Sequence, residues 1–412
     1  MKKKVCFVTS SFPCVSETFV VNHVLQAKLQ GYDIQLLVDK KLSIDASSQK
    51  ALLSKHAILN TVTQIDYAIP RSKLRRRFTA FIFIIKYLKY WLKIKEISFR
   101  KRFSTLPFQL HFYKQFQDIA VFHVQFAIAG LELAKMKSVG LLQGDVITTF
   151  HGYDAHYNSD ETLGTLKARY QLLLKHSKYV TVNTPYLAER VNAIMPVESL
   201  AKVVVIPMGI DLDFFNPKYG KDLEGKSEIK LLSVGRLIEL KGFTYAIQSV
   251  RKVIDMGFSV SYTIVGSGAF YDELKALIIS LKLNNYVFLV GAKNQKEIKD
   301  LFESHDIFLM SSVADKTQRR EAQGVVTAEA QAMGLPVVAF NNGGVPYTIS
   351  PNETGVLVPE KNIEAYAMAI VELLKNPNTY RDMHLATRGF ISANFCTTTL
   401  AKRFFSLYEG NL

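Results

Sequence analysis

The sequence predicts an α/β protein with two doubly wound domains, each a parallel sheet covered by helices. Its first residues predict, in this order, a strand over Lys4–Thr9, a helix that ends near Leu29 before Gly31, and a second strand over Ile34–Val38. This β-α-β order is typical of parallel sheets, whose ligands bind beyond the carboxyl ends of the strands. The chain has 412 residues, of which 48% are apolar, and it is therefore long enough to form two hydrophobic cores.

Short apolar runs continue this alternation through both halves of the chain. The segment 218–228, KYGKDLEGKSE, is polar and lacks apolar periodicity, as is typical of a linker. We therefore predict an N-terminal Rossmann-like domain over 1–206, a linker over 207–228, a second Rossmann-like domain over 229–390 and a C-terminal helix over 391–412. The further strands that we predict lie at 119–125, within 141–150, and at 179–183, 203–206, 229–234, 260–265, 286–289, 307–311 and 337–340, and TGVLVP at 354–359 is strand-like.

Charge is distributed unevenly along the chain. The first 200 residues contain 28 Lys and Arg against 14 Asp and Glu, whereas the rest of the chain contains 23 against 22. Nearly all of the net charge of +15 therefore lies in the first half, which we expect to face an anionic partner. The three cysteines form no CxxC pair and no ligand cluster, so we expect neither a disulfide framework nor a structural zinc.

The N-terminal stretch MKKKVCFVTSSFPC could be mistaken for a signal peptide. Its apolar run, Val5–Val8, is much shorter than the apolar region of a signal, and it predicts a first β-strand instead. No uninterrupted apolar run approaches the roughly 20 residues of a membrane span. We expect a cytoplasmic protein that is peripheral at the inner face of the cytoplasmic membrane.

The segment 71–102 differs from the rest in composition, because it holds 12 basic residues and a single acid, Glu96. We hypothesise that it forms an amphipathic helix on an anionic leaflet and brings the protein to a lipid-linked acceptor. The alternative is an ordinary surface helix packed on its own sheet, with a solvated charged face. No nucleic-acid recognition module is visible. The predicted membrane patch comprises Arg75, Arg76, Arg77, Lys86, Lys89, Lys93 and Trp91, with Arg100 on the basic face and Phe81, Ile84, Leu88 and Phe99 on the apolar face.

The stretch 321–329, EAQGVVTAE, places a carboxylate in a glycine-containing loop and a second carboxylate eight positions later. We predict a helix from about Val325 to Met333, stopped by Gly334. Backbone N–H groups over Gln323–Val326 would then point outward at a helix start, which suits an anion.

Two carboxylates beside an anion site suit a ligand with phosphates and several hydroxyls, such as a sugar nucleotide. The alternative is a capping Glu321 and a half-exposed Glu329 without a ligand. Arg236 and Lys241 follow another predicted strand and together match a diphosphate, although charges in loops are usually only solvated.

Further motifs accompany this stretch in a fixed order: SETF at 16–19, HGYD at 151–154, IPMGID at 206–211, VGRLIELKG at 234–242 and VGSG at 265–268. Together with the E-x7-E pattern, they resemble the large retaining GT-B glycosyltransferases often called family four. SETF resembles the opening segment of members that build exopolysaccharide and surface polysaccharide. The resemblance covers nearly the whole chain. It implies two Rossmann-like domains facing across a cleft, with a C-terminal helix that crosses back to the first domain.

The resemblance also implies roles for residues of the second half. Arg236 and Lys241 would stabilise the leaving diphosphate, Glu321 would hold hydroxyls of the transferred sugar, and Glu329 would accept hydrogen bonds from ribose hydroxyls. The helix start that would face the donor comprises Gln323, Gly324, Val325 and Val326. Gly266 would line the base pocket, and the loop of Lys293 would contact the base. Arg319 and Arg320 flank the site, next to donor or acceptor.

In the first half, the resemblance places His151 beside the donor sugar and Asp154 near sugar or acceptor hydroxyls. The alternative for His151 is a satisfied turn histidine. Ser16, Glu17 and Thr18 belong to a loop that carries a glycine pair in many relatives but none here. A role of this loop in binding the acceptor is therefore as plausible as one in binding phosphate.

The function that we predict is transfer, with retention, of a sugar from a UDP- or GDP-sugar to a saccharide or lipid-linked acceptor in bacterial surface polysaccharide synthesis. No cofactor and no metal are expected to be obligatory, because the DxD pair Asp211 and Asp213 lies in the turn between the domains. The alternatives are a GT-B epimerase or phosphorylase and a catalytically degenerate, membrane-tethered binding module. A nicotinamide dehydrogenase is disfavoured because no GxGxxG follows the first strand.

Overall fold

The N-terminal half of the protein forms a seven-stranded parallel sheet in the computed structural model, which describes residues 3–14, 17–94 and 97–411. Its strands are β1 (Lys4–Phe12), β2 (Asp33–Lys41), β3 (Val62–Gln64), β4 (Val121–Gln125), β5 (Asp145–Thr149), β6 (Tyr179–Val182) and β7 (Lys202–Val205). Their spatial order is β3-β2-β1-β4-β5-β6-β7. The order reverses between β1 and β4, so the loops after these two strands diverge and leave a crevice where ligands bind in such folds.

The C-terminal half forms a six-stranded parallel sheet of the same type. Its strands are β8 (Ile229–Val234), β9 (Val260–Val265), β10 (Val287–Leu289), β11 (Ile307–Met310), β12 (Val337–Phe340) and β13 (Gly355–Val358). Their order is β10-β9-β8-β11-β12-β13, with the reversal between β8 and β11. The strand predictions are confirmed to within about three residues; β3, a short edge strand, was not predicted.

Helices cover both faces of the first sheet. Thr184 caps the helix that follows β6, since its hydroxyl accepts from the backbone N–H of Leu187, and Pro185 takes the first helical position. The helices of this half are α1 (Thr18–Leu29), α2 (Lys50–Lys55), α3 (Lys73–Lys86), α4 (Leu88–Trp91), α5 (Phe99–Ser104), α6 (Leu106–Tyr113), α7 (Leu131–Ser138), α8 (Asp160–His176) and α9 (Pro185–Ile194).

The helices after β8 include a tail that returns to the first sheet. They are α10 (Phe243–Asp255), α11 (Tyr271–Ser280), α12 (Gln295–Ser304), α13 (Val325–Ala332), α14 (Ile363–Lys375), α15 (Pro377–Phe395) and α16 (Thr397–Glu409). Helix α16 packs its apolar face on α1 and on β1. Its Tyr408 hydroxyl lies 2.7 Å from Nδ1 of the buried His123 and 3.0 Å from Nε2 of His23, both in the first half. The C-terminal helix therefore crosses back to the first domain, as predicted.

The basic segment 71–102 does not form the single amphipathic helix predicted from the sequence. It is divided into α3, α4 and α5, and Lys95 and Glu96 lie outside the described residues. Helix α3 is apolar on two faces rather than one. Its inner face, which includes the buried Ala80, packs against neighbouring helices such as α6. A second face leaves large apolar side chains exposed to solvent.

The exposed face of α3 is a continuous stripe. Leu74 is 80% exposed and Phe78 68% exposed, and the spacing of the set, at i, i+4, i+7, i+8 and i+11, keeps it on one side of the helix. The exposed stripe comprises Leu74, Phe78, Phe81, Ile82 and Ile85, and exposed Leu88 and Leu92 continue it in and after α4. This many exposed large apolar side chains in one place marks an interaction surface.

Cations border this stripe, but Trp91 does not belong to it. Lys86, Lys89 and Lys93, which belong to the predicted membrane patch, are exposed. The indole of Trp91 packs against the core instead, donates its N–H to the carbonyl of Arg102 over 3.0 Å and stacks under that guanidinium. The prediction for Trp91 was wrong, because the break after α3 turns this residue inward. In the described part of the chain, no helix is long and apolar enough to cross a bilayer.

Candidate active site

The loop before α13 and the start of that helix form the centre of the site. Gly324 adopts a left-handed φ of 81° and lies against Met310, so a side chain would be strained there. The loop after β12 holds the preceding residues in place. The amide of Glu321 donates to the side-chain oxygen of Asn342 over 3.2 Å, and the amide of Gly344 donates to the carbonyl of Glu321 over 2.7 Å. The first turn of α13 is thereby fixed in position and points between the two sheets.

Glu321 pairs with Lys241 inside this site. The Lys241 ammonium lies 2.5 Å from Oε2 of Glu321, and the hydroxyl of Ser312 donates to the same oxygen over 3.2 Å. Burial alone would raise the pKa of Glu321, but Lys241, Ser312 and the charge of Arg236 outweigh it and lower that pKa. Glu321 is therefore an ionised carboxylate held beside a lysine, while the nearby Arg236 remains exposed. Sequence reasoning missed Ser312, since an isolated serine carries no motif.

Glu329 lies inside α13 and has a different environment. Its side chain is partly buried, and within the described residues no hydrogen bond or ion pair to it is present. Burial raises its pKa to about 7. An isolated, half-buried carboxylate is destabilising in the absence of a ligand. This cost is offset if ligand hydroxyls donate to it.

His151 stands at the end of β5 in an aromatic setting. Its Nε2 donates to the side-chain oxygen of Gln125 over 2.8 Å, which leaves Nδ1 as a hydrogen-bond acceptor. The rings of Phe19 and Phe126 lie 4.6 Å and 4.4 Å from the imidazole centroid. Burial, with a smaller contribution from His23, lowers the pKa of His151 to about 3. The imidazole is therefore neutral at physiological pH, and Nδ1 is buried without a hydrogen-bond partner among the described residues.

Asp154, predicted to approach ligand hydroxyls, instead holds the turn that carries His151. Its carboxylate is buried and accepts from the backbone N–H groups of Ala127, His151 and Gly152 at 2.9, 3.0 and 3.2 Å. Burial raises the pKa of Asp154 to about 6. The predicted contact of Asp154 with substrate was wrong, because its oxygens are occupied by backbone donors. Its role is to position His151 and the loop after β4.

Three contacts join the His151 side of the site to the loop of Glu321. A Cβ at Gly152 would lie 2.5 Å from the Cβ of Ala322, so only glycine fits there. The Thr184 hydroxyl donates to the carbonyl of Ala322 over 2.8 Å. Gln323 bonds through both ends of its amide to the backbone of Met208, at 2.8 and 3.1 Å. The side chain of Gln323 is therefore held by the backbone of Met208, which leaves for a donor only the backbone N–H that was predicted to face it.

Other predicted residues lie farther from this centre or in other contacts. A Cβ at Gly266 would lie 1.8 Å from the carbonyl oxygen of Gly235, so this glycine allows two loops to approach closely. Lys293 pairs with Glu297 over 3.2 Å at the surface. Arg319 and Arg320 pair with Asp315 at 3.1 Å and Glu360 at 2.5 Å. None of these pairs prevents a ligand contact.

In the loop after β1, Pro13, Cys14 and Glu17 are described, whereas Val15 and Ser16, the latter a predicted acceptor-side residue, lie outside the described residues. Burial raises the pKa of Glu17 to about 6, and its Oε2 is buried without a partner among the described residues. Thr18 is the first residue of α1. Glu17 thus has an unused acceptor next to the crevice between β1 and β4.

The DxD pair has a structural role. The carboxylate of Asp211 accepts from the backbone N–H groups of Asp213 and Phe214 at 3.1 and 3.0 Å and so caps a turn. Within the described residues, no group of three or more His, Cys, Asp or Glu side chains is arranged to hold a metal ion.

Comparisons with known proteins identify the family of the chain. Residues 66–214 match the family model of glycosyltransferase family 4, and residues 218–389 match that of glycosyl transferases group 1. The amylovoran biosynthesis glycosyltransferase AmsK of Erwinia amylovora is 30% identical, covering 95% of this chain and 96% of its own. The putative colanic acid biosynthesis glycosyltransferase WcaL of Escherichia coli K12 is 29% identical over 89% of both chains.

Solved structures share the fold over the whole chain. Anabaena Alr3699/HepE in complex with UDP superposes with a TM-score of 0.73 at 16% identity, covering 100% of both chains. A glycosyltransferase from Rickettsia africae ESF-5 gives a TM-score of 0.71 at 19% identity, covering 100% of this chain and 98% of its own. The fold is therefore GT-B, as the sequence predicted. The chain belongs to the family-four GT-B glycosyltransferases, and it is a glycosyltransferase.

Proposed function

We propose that this glycosyltransferase moves a sugar from a nucleotide-diphosphate sugar, such as a UDP- or GDP-sugar, to a saccharide acceptor in the synthesis of a bacterial surface polysaccharide. The observation that carries the proposal is the Lys241–Glu321 pair beside Arg236 and the start of α13. Lys241 and Arg236 supply cations for a leaving diphosphate, and Glu321 supplies a carboxylate for sugar hydroxyls. AmsK and WcaL, named for amylovoran and colanic acid biosynthesis, support the choice of pathway class.

The charges of the site match the charges of the reaction. Cleavage of the bond between sugar and phosphate leaves negative charge on the diphosphate. Arg236, Lys241 and the backbone N–H groups at the start of α13 would stabilise this charge. Glu321, once the ammonium of Lys241 also contacts phosphate, would accept hydrogen bonds from hydroxyls of the transferred sugar. Val325 and Val326 contribute only backbone N–H groups to this arrangement.

Glu329 would bind the ribose of the donor, and its replacement tests the donor site. We expect Glu329→Ala to weaken binding of the nucleotide sugar by about 1–3 kcal/mol, the usual scale for a hydrogen bond to a charged group. The measurement is a thermal-shift panel of UDP- and GDP-sugars on both proteins. Glu364→Ala is the matched control, because Glu364 is an exposed glutamate at the start of α14 that pairs with Lys252. Equal stabilisation of wild type and Glu329→Ala by the same donor would contradict the ribose role.

The pH dependence of donor binding gives a second measure of the same carboxylate. Without donor, Glu329 becomes protonated below about pH 7, whereas ribose hydroxyls donate to its ionised form. Affinity for a nucleotide sugar is therefore expected to fall by up to about tenfold per pH unit below pH 7, and to stay flat in Glu329→Gln. The raised folded-state pKa also makes the donor-free fold less stable as pH rises from about 4.5 through 7. We therefore expect Glu329→Gln to be more stable than wild type near pH 8 but not near pH 5.

Retention of the anomeric configuration is part of the proposal and rests on family membership. In such a reaction the acceptor attacks the face of the sugar that the phosphate leaves. The leaving phosphate helps to take up the proton of the acceptor hydroxyl, so the protein need not supply a nucleophile. The neutral His151 is compatible with this role, because it offers Nδ1 as an acceptor and no formal charge. The ¹H NMR coupling constant of the newly formed glycosidic bond tests it, and the opposite anomer would refute retention.

We further propose that the acceptor is presented at a membrane surface. The exposed stripe of α3 is apolar enough to enter a bilayer interface, and exposed cations border it, a combination suited to anionic lipid. The switch-point crevice between β1 and β4, with the free Oε2 of Glu17, would receive the saccharide of a lipid-linked acceptor. The protein would then act as a peripheral enzyme at the inner face of the cytoplasmic membrane.

A further inference from the structure

Phe126 combines a bulky side chain with a backbone conformation that L-residues rarely adopt. It follows β4 directly, at the crevice between β1 and β4, with φ 67° and ψ 117°. Its N–H donates to the carbonyl of Thr149 over 3.0 Å, and its own carbonyl accepts from the N–H of Ala129 over 3.0 Å. The next residue, Ala127, is held by Asp154. The surrounding hydrogen bonds therefore enforce a strained conformation that a glycine would adopt without strain.

The strained backbone places the Phe126 ring on His151. The two ring centroids are 4.4 Å apart with an interplanar angle of 48°, and Phe19 covers the imidazole from another side at 4.6 Å and 39°. The two phenyl rings are themselves 6.3 Å apart. Both are only partly exposed, so together they shield the imidazole from water.

Among the residues that the structure describes, burial and any charge on His23 both disfavour the charged imidazolium of His151. Burial also lowers the pKa values of His23 from α1 and of His123 from β4, so neither imidazole is charged near neutral pH. The carboxylate of Asp154 bonds the backbone N–H of His151, together with two other amides, and does not bond the ring. Gln125 fixes the tautomer through Nε2. The phenyl rings are then the groups that hold the plane of the imidazole and keep it dry.

We propose that Phe126 is a positioning residue of the transfer reaction. Its strained backbone presses the phenyl ring onto His151, and together with Phe19 it fixes a neutral imidazole whose Nδ1 accepts a hydrogen bond from a substrate hydroxyl. This inference rests on the proposed function, because it takes His151 to face the reacting sugar. The strain is retained because the ring is required; a glycine would satisfy the backbone but leave the imidazole mobile and hydrated.

The test compares Phe126→Gly with Phe126→Tyr in the full-length protein. We expect Phe126→Gly to lower kcat for transfer about 10- to 100-fold while donor affinity and the unfolding midpoint stay close to wild type, because relief of strain offsets the loss of the ring. Phe126→Tyr keeps the ring and is expected to keep kcat within about threefold. Lys282→Gly is the matched control, since Lys282 is an exposed non-glycine residue at φ 55° far along the chain, and its replacement should leave kcat unchanged.

A histidine NMR titration supplies a readout that does not depend on turnover. In wild type the His151 resonances, assigned by their loss in His151→Gln, should not titrate between about pH 5 and 8, whereas in Phe126→Gly they should titrate closer to 6.5, the ordinary value. Unchanged kcat together with an unchanged titration in Phe126→Gly would overturn the inference. If the titration shifts but His151→Gln keeps full kcat, the placement of His151 in the reaction is wrong, and the positioning role falls with it.

Discussion

We expect Lys241→Ala to lower kcat for sugar transfer about 10²- to 10³-fold. Lys241 is the cation closest to Glu321, at 2.5 Å, and both side chains are largely shielded from water. In such a site a fixed positive charge stabilises the negative charge that develops on the diphosphate far more than it would in bulk water. The measurement is steady-state kinetics with the donor identified by the thermal-shift panel. The loss should appear mainly in kcat, because the charge on the leaving group is greatest in the transition state.

Controls separate this role from damage to the fold. Lys252→Ala removes a lysine of α10 whose partner, Glu364, is exposed, and it should leave kcat within about twofold of wild type. Lys241→Ala leaves Glu321 as a buried, uncompensated carboxylate, which is itself destabilising. The double variant Lys241→Ala with Glu321→Gln removes both charges and should recover stability without recovering activity. Transfer at the wild-type rate in folded Lys241→Ala would refute the catalytic role and favour a protein that only binds nucleotide sugars.

The second large effect concerns the exposed stripe of α3. We expect a variant with Leu74, Phe78, Phe81 and Ile85 replaced by serine to bind anionic vesicles about 10²-fold more weakly than wild type, or worse. Each side chain is mostly exposed in the folded protein, so its burial in a lipid interface stabilises binding, at roughly 25 cal/mol for each Å² of apolar surface covered. The same exposure means that the substitutions remove little packing within the fold. Vesicle sedimentation gives the bound fraction.

Charge and position can be tested separately in the same assay. Neutralising Lys86, Lys89 and Lys93 should weaken binding to anionic vesicles by about 1 kcal/mol per lysine while leaving binding to neutral vesicles unchanged. A matched control replaces Val197 and Leu200 by serine, since both are exposed apolar residues outside the stripe. Equal recovery of the wild-type protein with neutral and anionic vesicles would reject an anionic leaflet as the partner, and no recovery with either kind would reject a lipid surface. The stripe would then be assigned to contact with another protein.

Much of the fold was predictable because its signals are local. Gly31 and Gly334 end helices with left-handed φ values of 89° and 82°, as expected for glycines after a last helical turn. The apolar run Val337–Phe340 forms β12 over the predicted residues. The segment 71–102 was harder, because its composition is apolar and basic throughout and does not show where a helix breaks. For this reason the sequence did not predict that Trp91 turns inward while Phe81 and Leu88 are exposed.

The sequence by itself determined the two-sheet fold, the family and the stretches that approach the site. It placed Lys241, Glu321, Glu329 and His151 in motifs, because turns and helix starts depend on residues close in the chain. Only the tertiary structure decided which hydrogen-bond partners each of these side chains has.

Asp154 and Gln323 illustrate that limit. Both stand in motifs predicted to approach a ligand. The structure adds that the carboxylate of Asp154 accepts from the amide of Ala127, and that the side chain of Gln323 bonds the backbone of Met208, 115 residues away. A polar side chain bonds whatever the fold brings within reach, and burial makes that choice energetically decisive. The position of the Phe126 ring on His151 also depends on the tertiary structure. Hydrogen bonds from β5 and from the turn that follows it hold the strained backbone of Phe126, and no local sequence pattern encodes them.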